Sequence, residues 1–315
     1  MHRRRFLAAA SLGCLAASAL ARSPLRGGPE PDFSRERCGA APPGTSAVAA
    51  TAPGVLAYQG THILTHGAMR DLAAAYTAAS GRPLQVLGGG CDDALAALNR
   101  GTAQLGGMCC PMPGSPAEGL PWLLAARDMR VAAVHPDNPV RGVSVDQLRG
   151  LTEGRIRRWS EVGGPNRPVA MVVRRHCPEY FEPVRHLLLD NRALWSERSL
   201  FTETDEEIVD RVARFPGALG LVSWVFARPL AQRGALRALA IGGVPATLQA
   251  ASDRRYPLTG PLVLAFRRWD EALMGPFAQF LYGDAGRAIV GRALVPVSAA
   301  DSGLESARRA AAARV

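Results

Sequence analysis

The sequence predicts an α/β fold with largely parallel sheets. Short apolar runs alternate with helical segments from residue 55 to about residue 297. Glycine turns follow the early strands, and hydrophobic residues make up 48% of the chain against 20% charged residues, so there is enough apolar material for a large core. Sheets of this kind bind ligands at the carboxyl ends of their strands. The turns at Gly88–Gly90 and Gly106–Gly107 therefore indicate where a site would lie.

The predicted elements follow one another as strand, turn and helix. In the first part of the chain "GVLAYQGT", "PLQVLGGG" and "AQLGGM" predict strands, and "AMRDLAAAYTAAS" and "DDALAALNRG" predict helices. Later strands are predicted at "MRVAAVHP", "PVAMVVRR", "GALGLVSWV" and "PLVLAF". The later helices are predicted at "SVDQLRGLT", "FEPVRHLLLDNR", "DEEIVDRVARF" and "PFAQFLYGDAGRAIVGRAL".

The N-terminus predicts export to the periplasm. Residues 1–21 have a basic start, an alanine-rich apolar centre and an Ala-x-Ala end, as in a signal peptide. Arg3–Arg5 followed by Phe6 and Leu7 resembles a twin-arginine signal, with the general export signal as the alternative. Residues 22–54, rich in Pro, Gly, Ala and Ser, predict a flexible leader, and residues 298–315 predict a frayed tail.

The charge pattern argues against nucleic-acid binding. The net charge is +10, but all 37 basic residues are arginines and they are scattered along the chain. A phosphate-binding footprint would cluster them on one face. The sequence also lacks G-x-S-x-G, H-E-x-x-H, P-loop and C-x-x-C motifs, so we do not expect an enzyme.

The cysteines are unevenly distributed. Four of the six (Cys91, Cys109, Cys110 and Cys177) fall in the middle of the chain, each close to a predicted strand end. Thiolates, together with imidazole, are ligands for soft metals. Because an exported protein meets an oxidising compartment, disulfides that join Cys91 to Cys109, Cys110 or Cys177 are the main alternative.

Four segments, in order, resemble the periplasmic phosphate-binding proteins of ABC transporters. They are residues 134–169, 204–224, 256–266 and 280–297, and the resemblance covers residues 55–297. It implies a two-lobed type II periplasmic-binding-protein fold with the ligand cleft between the lobes. Lobe 1 would comprise residues 55–130 with residues 246–297, and lobe 2 residues 131–245.

The resemblance also implies a set of ligand-binding positions. The family's first turn offers a threonine, and in this chain's turn, Gly60-Thr61-His62, the residue in that place is His62. The serine of the family's Gly-Gly-Gly-Ser turn is Cys91, and the ligand after the third strand is Cys109. The binding arginine is kept as Arg174, but the Ser-Gly-Thr that follows it in the family is replaced by Pro-Glu-Tyr after Cys177. The expected ligand-binding residues are therefore Thr61, His62, Cys91, Cys109, Arg174 and Cys177.

These replacements change hard-anion ligands into soft-metal ligands. We therefore predict an extracytoplasmic solute-binding protein whose cleft holds a soft metal or metalloid, such as copper, zinc or arsenite. The predicted metal ligands are Cys91, Cys109, Cys110, Cys177, His62 and His176. One alternative is phosphate or a related oxyanion bound by Arg174 and turn amides, and another is an exported redox protein with a cofactor. We expect a monomer that needs no resident cofactor and serves an ABC permease or a membrane sensor.

Overall fold

The computed structural model describes residues 55–109, 117, 119–174, 183–189 and 195–303, and all of these belong to one compact unit. The predicted signal peptide, the leader and most of the tail lie outside the described residues, as do Cys110, His176 and Cys177. Within the described ranges, no helix combines the length and the apolar character that a membrane span requires.

The described chain contains twelve strands, ten α-helices, one π-helical turn and two 3-10 turns. The strands are β1 Leu56–Thr61, β2 Leu84–Gly89, β3 Leu105–Met108, β4 Trp122–Val134, β5 Gly142–Val143, β6 Ala170–Arg174, β7 Leu200–Thr202, β8 Ala218–Ser223, β9 Arg237–Ala238, β10 Ala240–Ile241, β11 Thr259–Ala265 and β12 Val295–Pro296. The helices are α1 His62–Leu64, α2 Arg70–Ser80, α3 Cys91–Arg100, α4 Val145–Thr152, α5 Pro183–Leu189, α6 Asp205–Arg214, α7 Trp224–Gln232, α8 Leu248–Ser252, α9 Glu271–Tyr282 and α10 Asp284–Val290. The π-helical turn is Thr65–Met69, and the 3-10 turns are Trp159–Val162 and Arg268–Asp270.

One mixed sheet runs through the molecule in the order β2-β1-β3-β11-β4-β8-β6-β7, with β12 and β9 also paired to β4. Strands β1, β2 and β3 are parallel to one another, and so are β6, β7 and β8. The predicted α/β class with largely parallel sheets is therefore confirmed. Two further short strands, β5 and β10, pair separately.

Strand β4 joins the two parallel groups. Its residues Trp122–Met129 pair with β11, and its residues Arg130–Val134 pair with β8. We call β1, β2, β3, β11 and β12 with the first part of β4 the first half of the sheet. The second half is β6, β7, β8 and β9 with the rest of β4. Buried residues of both halves belong to one hydrophobic cluster.

Three of the predicted elements differ clearly in their bounds from the observed ones, and helices α7 and α8 with the five short strands β5, β7, β9, β10 and β12 were not predicted. The strand predicted at residue 129 begins at Trp122, because its N-terminal part pairs with the antiparallel strand β11. The single helix predicted over 276–294 is divided into α9 and α10, because Gly283 adopts an extended conformation between them. The helix predicted from residue 68 begins at His62, since α1, the π-helical turn and α2 follow one another without a break.

The first half of the sheet has two separately packed faces. On β11, Leu262 and Leu264 belong to the main hydrophobic cluster, whereas Val263 and Ala265 belong to a second cluster around α3. Alternate residues of a strand point to opposite faces. The two clusters therefore cover opposite faces of this half, with α1 and α2 on one side and α3 on the other.

Strands β1 and β3 approach each other closely where both end. Gly60 pairs with Gly107, and a Cβ atom added to Gly60 would overlap the Gly107 backbone. A Cβ atom on Gly107 would in turn overlap the Tyr58 hydroxyl group. These two glycines are therefore required by packing at the edge where the turns begin.

We expect Gly60→Ala to lower the free energy of unfolding by about 1–3 kcal/mol, because overpacking a buried site forces backbone shifts. Urea denaturation followed by circular dichroism measures the change. Gly291→Ala is the matched control, since Gly291 is exposed and has an ordinary helical φ of −63°. Equal stability of wild type and Gly60→Ala would contradict the close packing described above.

Candidate functional site

Three buried side chains meet where strands of both halves end. His62 directly follows β1, Arg174 is the last residue of β6, and Asp205 begins α6 shortly after β7. His62 Nε2 lies 2.7 Å from Asp205 Oδ2, and Arg174 Nη1 lies 2.7 Å from the same oxygen. Arg174 Nη1 also contacts the His62 ring. We call His62, Arg174 and Asp205 the buried charge cluster.

The cluster is closed to solvent and connects the two halves of the sheet. His62 and Arg174 are each 6% exposed, and Asp205 is 2% exposed. His62 follows β1 of the first half, whereas Arg174 ends β6 and Asp205 follows β7 of the second half. Phe226 of α7 flanks the His62 ring with a centroid distance of 5.4 Å, so an aromatic side chain of the second half also covers this point.

Local structure holds two members of the cluster, Asp205 and His62, in place. Thr204 caps α6 by accepting a hydrogen bond from the Glu207 N–H at 3.2 Å, which places Asp205 in the first turn, where the helix dipole favours a negative charge. On the other side, the Thr65 hydroxyl donates to the carbonyl oxygen of Thr61 at 2.9 Å. This bond fixes the turn from which His62 projects.

The Asp205 carboxyl group is ionised. Burial alone would raise its pKa, but the hydrogen bond from His62 and the positive charge of Arg174 outweigh this effect and hold the pKa well below its usual range. Glu206, the next residue, behaves in the opposite way. Burial, with a further contribution from the Asp205 charge, raises the pKa of Glu206 to about 7. The site therefore contains one firmly charged carboxylate and one that titrates near neutrality.

A second polar group lies where β4 passes from one half to the other. The Ser223 hydroxyl donates to Asp128 Oδ1 at 2.6 Å, and Arg130 Nε lies 3.6 Å from Asp128 Oδ2. All three side chains are buried. The charge of Arg130 also contributes to the low pKa of Asp205, which couples the two groups electrostatically.

The predicted cysteines form a separate set. Cys91 is the first residue of α3 and Cys109 directly follows β3, and their Sγ atoms lie 3.6 Å apart. Cys91 is buried and Cys109 is partly exposed. They pack with apolar residues of the second cluster, among them Ala94, Leu98 and Val263.

The structure divides the predicted binding residues into two groups. Cys91 and Cys109 come together, and His62 and Arg174 come together around Asp205, but the described residues hold no group of three or more His, Cys, Asp or Glu side chains that could bind a metal. Thr61 is buried beside His62 and caps α1 without a side-chain hydrogen bond. Cys110, His176 and Cys177 lie outside the described residues, so the metal site stays a prediction.

Sequence analysis missed Asp128, Arg130, Asp205 and Ser223. A signal was present for the first two, because they are charged residues at alternate positions of a mostly apolar run, "AARDMRVAAV", which also contains Arg127. Charged side chains are rarely buried unless they are paired. Asp205 gave no comparable signal, since an acidic residue at a helix start is explained equally well by the helix dipole.

A family model described as a PBP superfamily domain matches residues 47–285. The chain therefore belongs to the PBP superfamily, and its predicted resemblance to phosphate-binding proteins is confirmed by the relatives described next.

Two curated relatives are phosphate-binding proteins named PstS. The one from Borreliella burgdorferi is 18% identical over 172 residues, which are 52% of this chain and 61% of the relative. The one from Bacillus subtilis is 24% identical over 178 residues, 56% of this chain and 57% of the relative. The chain thus spans about three fifths of the length of the curated relatives that it matches.

A solved structure confirms the fold. It is that of a substrate-binding protein from Clostridium perfringens, assigned to phosphate ABC transport and crystallised with bound phosphate. The TM-score is 0.65 at 18% sequence identity, and the match covers 78% of this chain and 100% of that one. The predicted periplasmic-binding-protein fold is therefore confirmed.

We expect Asp205→Asn to lower the free energy of unfolding by about 3 kcal/mol at pH 7, because it removes one partner of a buried ion pair. The folded-state pKa of Asp205 is depressed, so its stabilisation is complete above the ordinary carboxyl pKa of about 4 and is lost as the pH falls below it. Urea denaturation at several pH values should show that the difference in free energy of unfolding between wild type and variant becomes smaller in acid.

Asp210→Asn on the same helix is the control for this experiment. Asp210 is exposed and pairs with Arg214 at 2.8 Å, so its loss should cost less than about 1 kcal/mol. Two results would contradict this role of the buried charge cluster. One is an equal loss of free energy of unfolding in both variants, and the other is a difference between wild type and Asp205→Asn that becomes larger in acid.

Proposed function

We propose that the protein is the extracytoplasmic solute-binding component of an ABC importer and that its cleft binds a small oxyanion of the phosphate type. The observation that carries this proposal is the position of Arg174. Its guanidinium group is buried at the carboxyl end of β6 and meets His62, which follows the end of β1 in the other half. An anion held by Arg174 at this point would contact both halves, and the PstS relatives favour this ligand class.

The charges of the site indicate that an oxyanion binds weakly. Asp205 already accepts a hydrogen bond from Arg174, so an oxyanion must compete with an ionised carboxylate for the same guanidinium group. Moreover, His62, Cys91 and Cys109 stand where the resemblance implies hydroxyl or carboxylate ligands, and thiols are poor hydrogen-bond donors. Arg174 and the backbone N–H groups at helix starts would supply most of the attraction.

Calorimetry with phosphate, arsenate and sulfate tests this function. We expect the wild type to bind phosphate more weakly than about 1 μM and Arg174→Ala to lose binding. Asp205→Asn should bind several-fold more tightly, because it removes both the competitor and a like charge. Arg214→Ala, which changes an exposed arginine, is the control.

Equal phosphate affinity of wild type and Arg174→Ala would contradict the proposal, because it would mean that the arginine does not bind the anion. A submicromolar affinity of the wild type would support the ligand class, but it would contradict the expectation that Asp205 and the replaced turn residues weaken the site. Circular dichroism at neutral pH must first show that each variant is folded.

The second candidate ligand is a soft metal or metalloid. The specific observation in its favour is the 3.6 Å between the Sγ atoms of Cys91 and Cys109. Two thiolates on a tetrahedral zinc ion, each with a bond of about 2.3 Å, lie about 3.8 Å apart. The other predicted ligands would have to come from His62, which here bonds to Asp205, or from Cys110, His176 and Cys177.

Anaerobic titration of the reduced protein with Cu(I), Zn(II) and arsenite tests this candidate. Binding should release protons and weaken in acid, because thiols bind metals as thiolates. Cys91→Ser and Cys109→Ser should each lower the affinity, and so should Cys177→Ser if the predicted site is complete. Cys38→Ser in the leader is the control. Equal binding by wild type and all variants would exclude a site at these cysteines.

The described residues add no support to a redox protein with a cofactor, and that alternative stays a prediction from the sequence. The periplasmic location is consistent with the relatives. The proposed protein is a monomer, and its partner is an ABC permease or a membrane sensor.

A further inference from the structure

We infer that Cys91 and Cys109 form a reversible disulfide that links the start of α3 to the end of β3. This inference is independent of phosphate binding, but the bond would exclude metal binding by the same two thiolates for as long as it is formed. The two cysteines lie at the ends of β2 and β3, next to the end of β1 that leads into His62.

The geometry brings the two sulfur atoms together from separate elements. Cys91 follows β2 and Cys109 follows β3, and these strands lie on either side of β1 in the sheet. The thiols therefore meet beyond the end of β1, on the face that α3 covers. Their Sγ atoms are 3.6 Å apart, and a disulfide bond requires about 2.05 Å, so the atoms must approach by roughly 1.5 Å.

The surroundings suit a neutral disulfide better than two thiolates. Cys91 is 1% exposed, and both cysteines pack with Ala94, Leu98 and Met108. Burying two thiolates among such side chains is costly, so these surroundings favour neutral thiols or a neutral disulfide, and the thiolates form only transiently during exchange.

Cys109 is the partly exposed member of the pair and is the one that an oxidant can reach. We propose that its thiolate attacks a small oxidising disulfide, forms a mixed disulfide and releases one thiol. The Cys91 thiolate then attacks the Cys109 sulfur atom and releases the second thiol. The protein loses two protons and two electrons, and the oxidant is reduced to two thiols.

The bond would close a loop of the chain that contains α3 and β3. A crosslink of this kind stabilises a protein chiefly by restricting the unfolded chain. It would also hold together the two turns on either side of Thr61 and His62. Oxidation should therefore raise the melting temperature and stiffen the site on the side of the first half of the sheet.

The test uses the full chain, incubated with oxidised or reduced glutathione and then alkylated and digested. Mass spectrometry should find a peptide pair joined through Cys91 and Cys109 only after oxidation, and dithiothreitol should reverse the linkage. The oxidised protein should melt several degrees above the reduced protein. Because the mapping is done on the wild type, it does not depend on whether a variant folds.

Single serine variants complete the test. Cys91→Ser and Cys109→Ser should abolish the linked peptide and the melting shift, whereas Cys110→Ser, Cys177→Ser and Cys38→Ser should keep both. Linkage of Cys109 to Cys110 or Cys177 would overturn the inference. So would two thiols that stay reduced in excess oxidised glutathione. Phosphate binding enters neither readout, so failure of the disulfide is distinguishable from failure of the proposed function.

Discussion

The contact of one buried carboxylate with a histidine and an arginine connects the two halves of the sheet. Asp205 accepts hydrogen bonds from His62 and Arg174, which arrive from the ends of β1 and β6. The contact stabilises the fold only while all three side chains are present, because removing one of them leaves an unpaired charge buried among apolar neighbours. The position of the three elements at the site thus depends on all three side chains being present together.

The fold could be predicted from the sequence because each of its signals is local. Apolar runs followed by glycines, such as the one that ends at Gly88–Gly90, mark strand ends whatever lies around them. The first part of β4 was harder to predict. "WLLAARD" is a strand because β11, more than a hundred residues away, pairs with it. Gly283 likewise ends α9 in an extended conformation that no periodicity signals.

The site was predicted only in part, for a geometric reason. His62, Cys91 and Cys109 all follow neighbouring strand ends, which suggested one common site. Parallel strand ends share an edge of the sheet, but the helices that leave them can cover either face. Here α1 and α3 pack on opposite faces, so His62 turns towards the second half and the thiols turn towards an apolar cluster. Asp205, which completes the first group, is 143 residues from His62 and could not be assigned to it from sequence spacing.

The continuous course of β4 limits how the molecule can be divided. Its backbone supplies hydrogen bonds to β11 on one side of Met129 and to β8 on the other. If the two halves were expressed as separate proteins, each would have an unpaired strand edge, and such edges promote aggregation. The two halves are therefore poor candidates for separate expression or for domain exchange with a relative. An insertion that respects the architecture belongs in a surface turn away from this strand, such as the exposed turn at Gly242–Gly243.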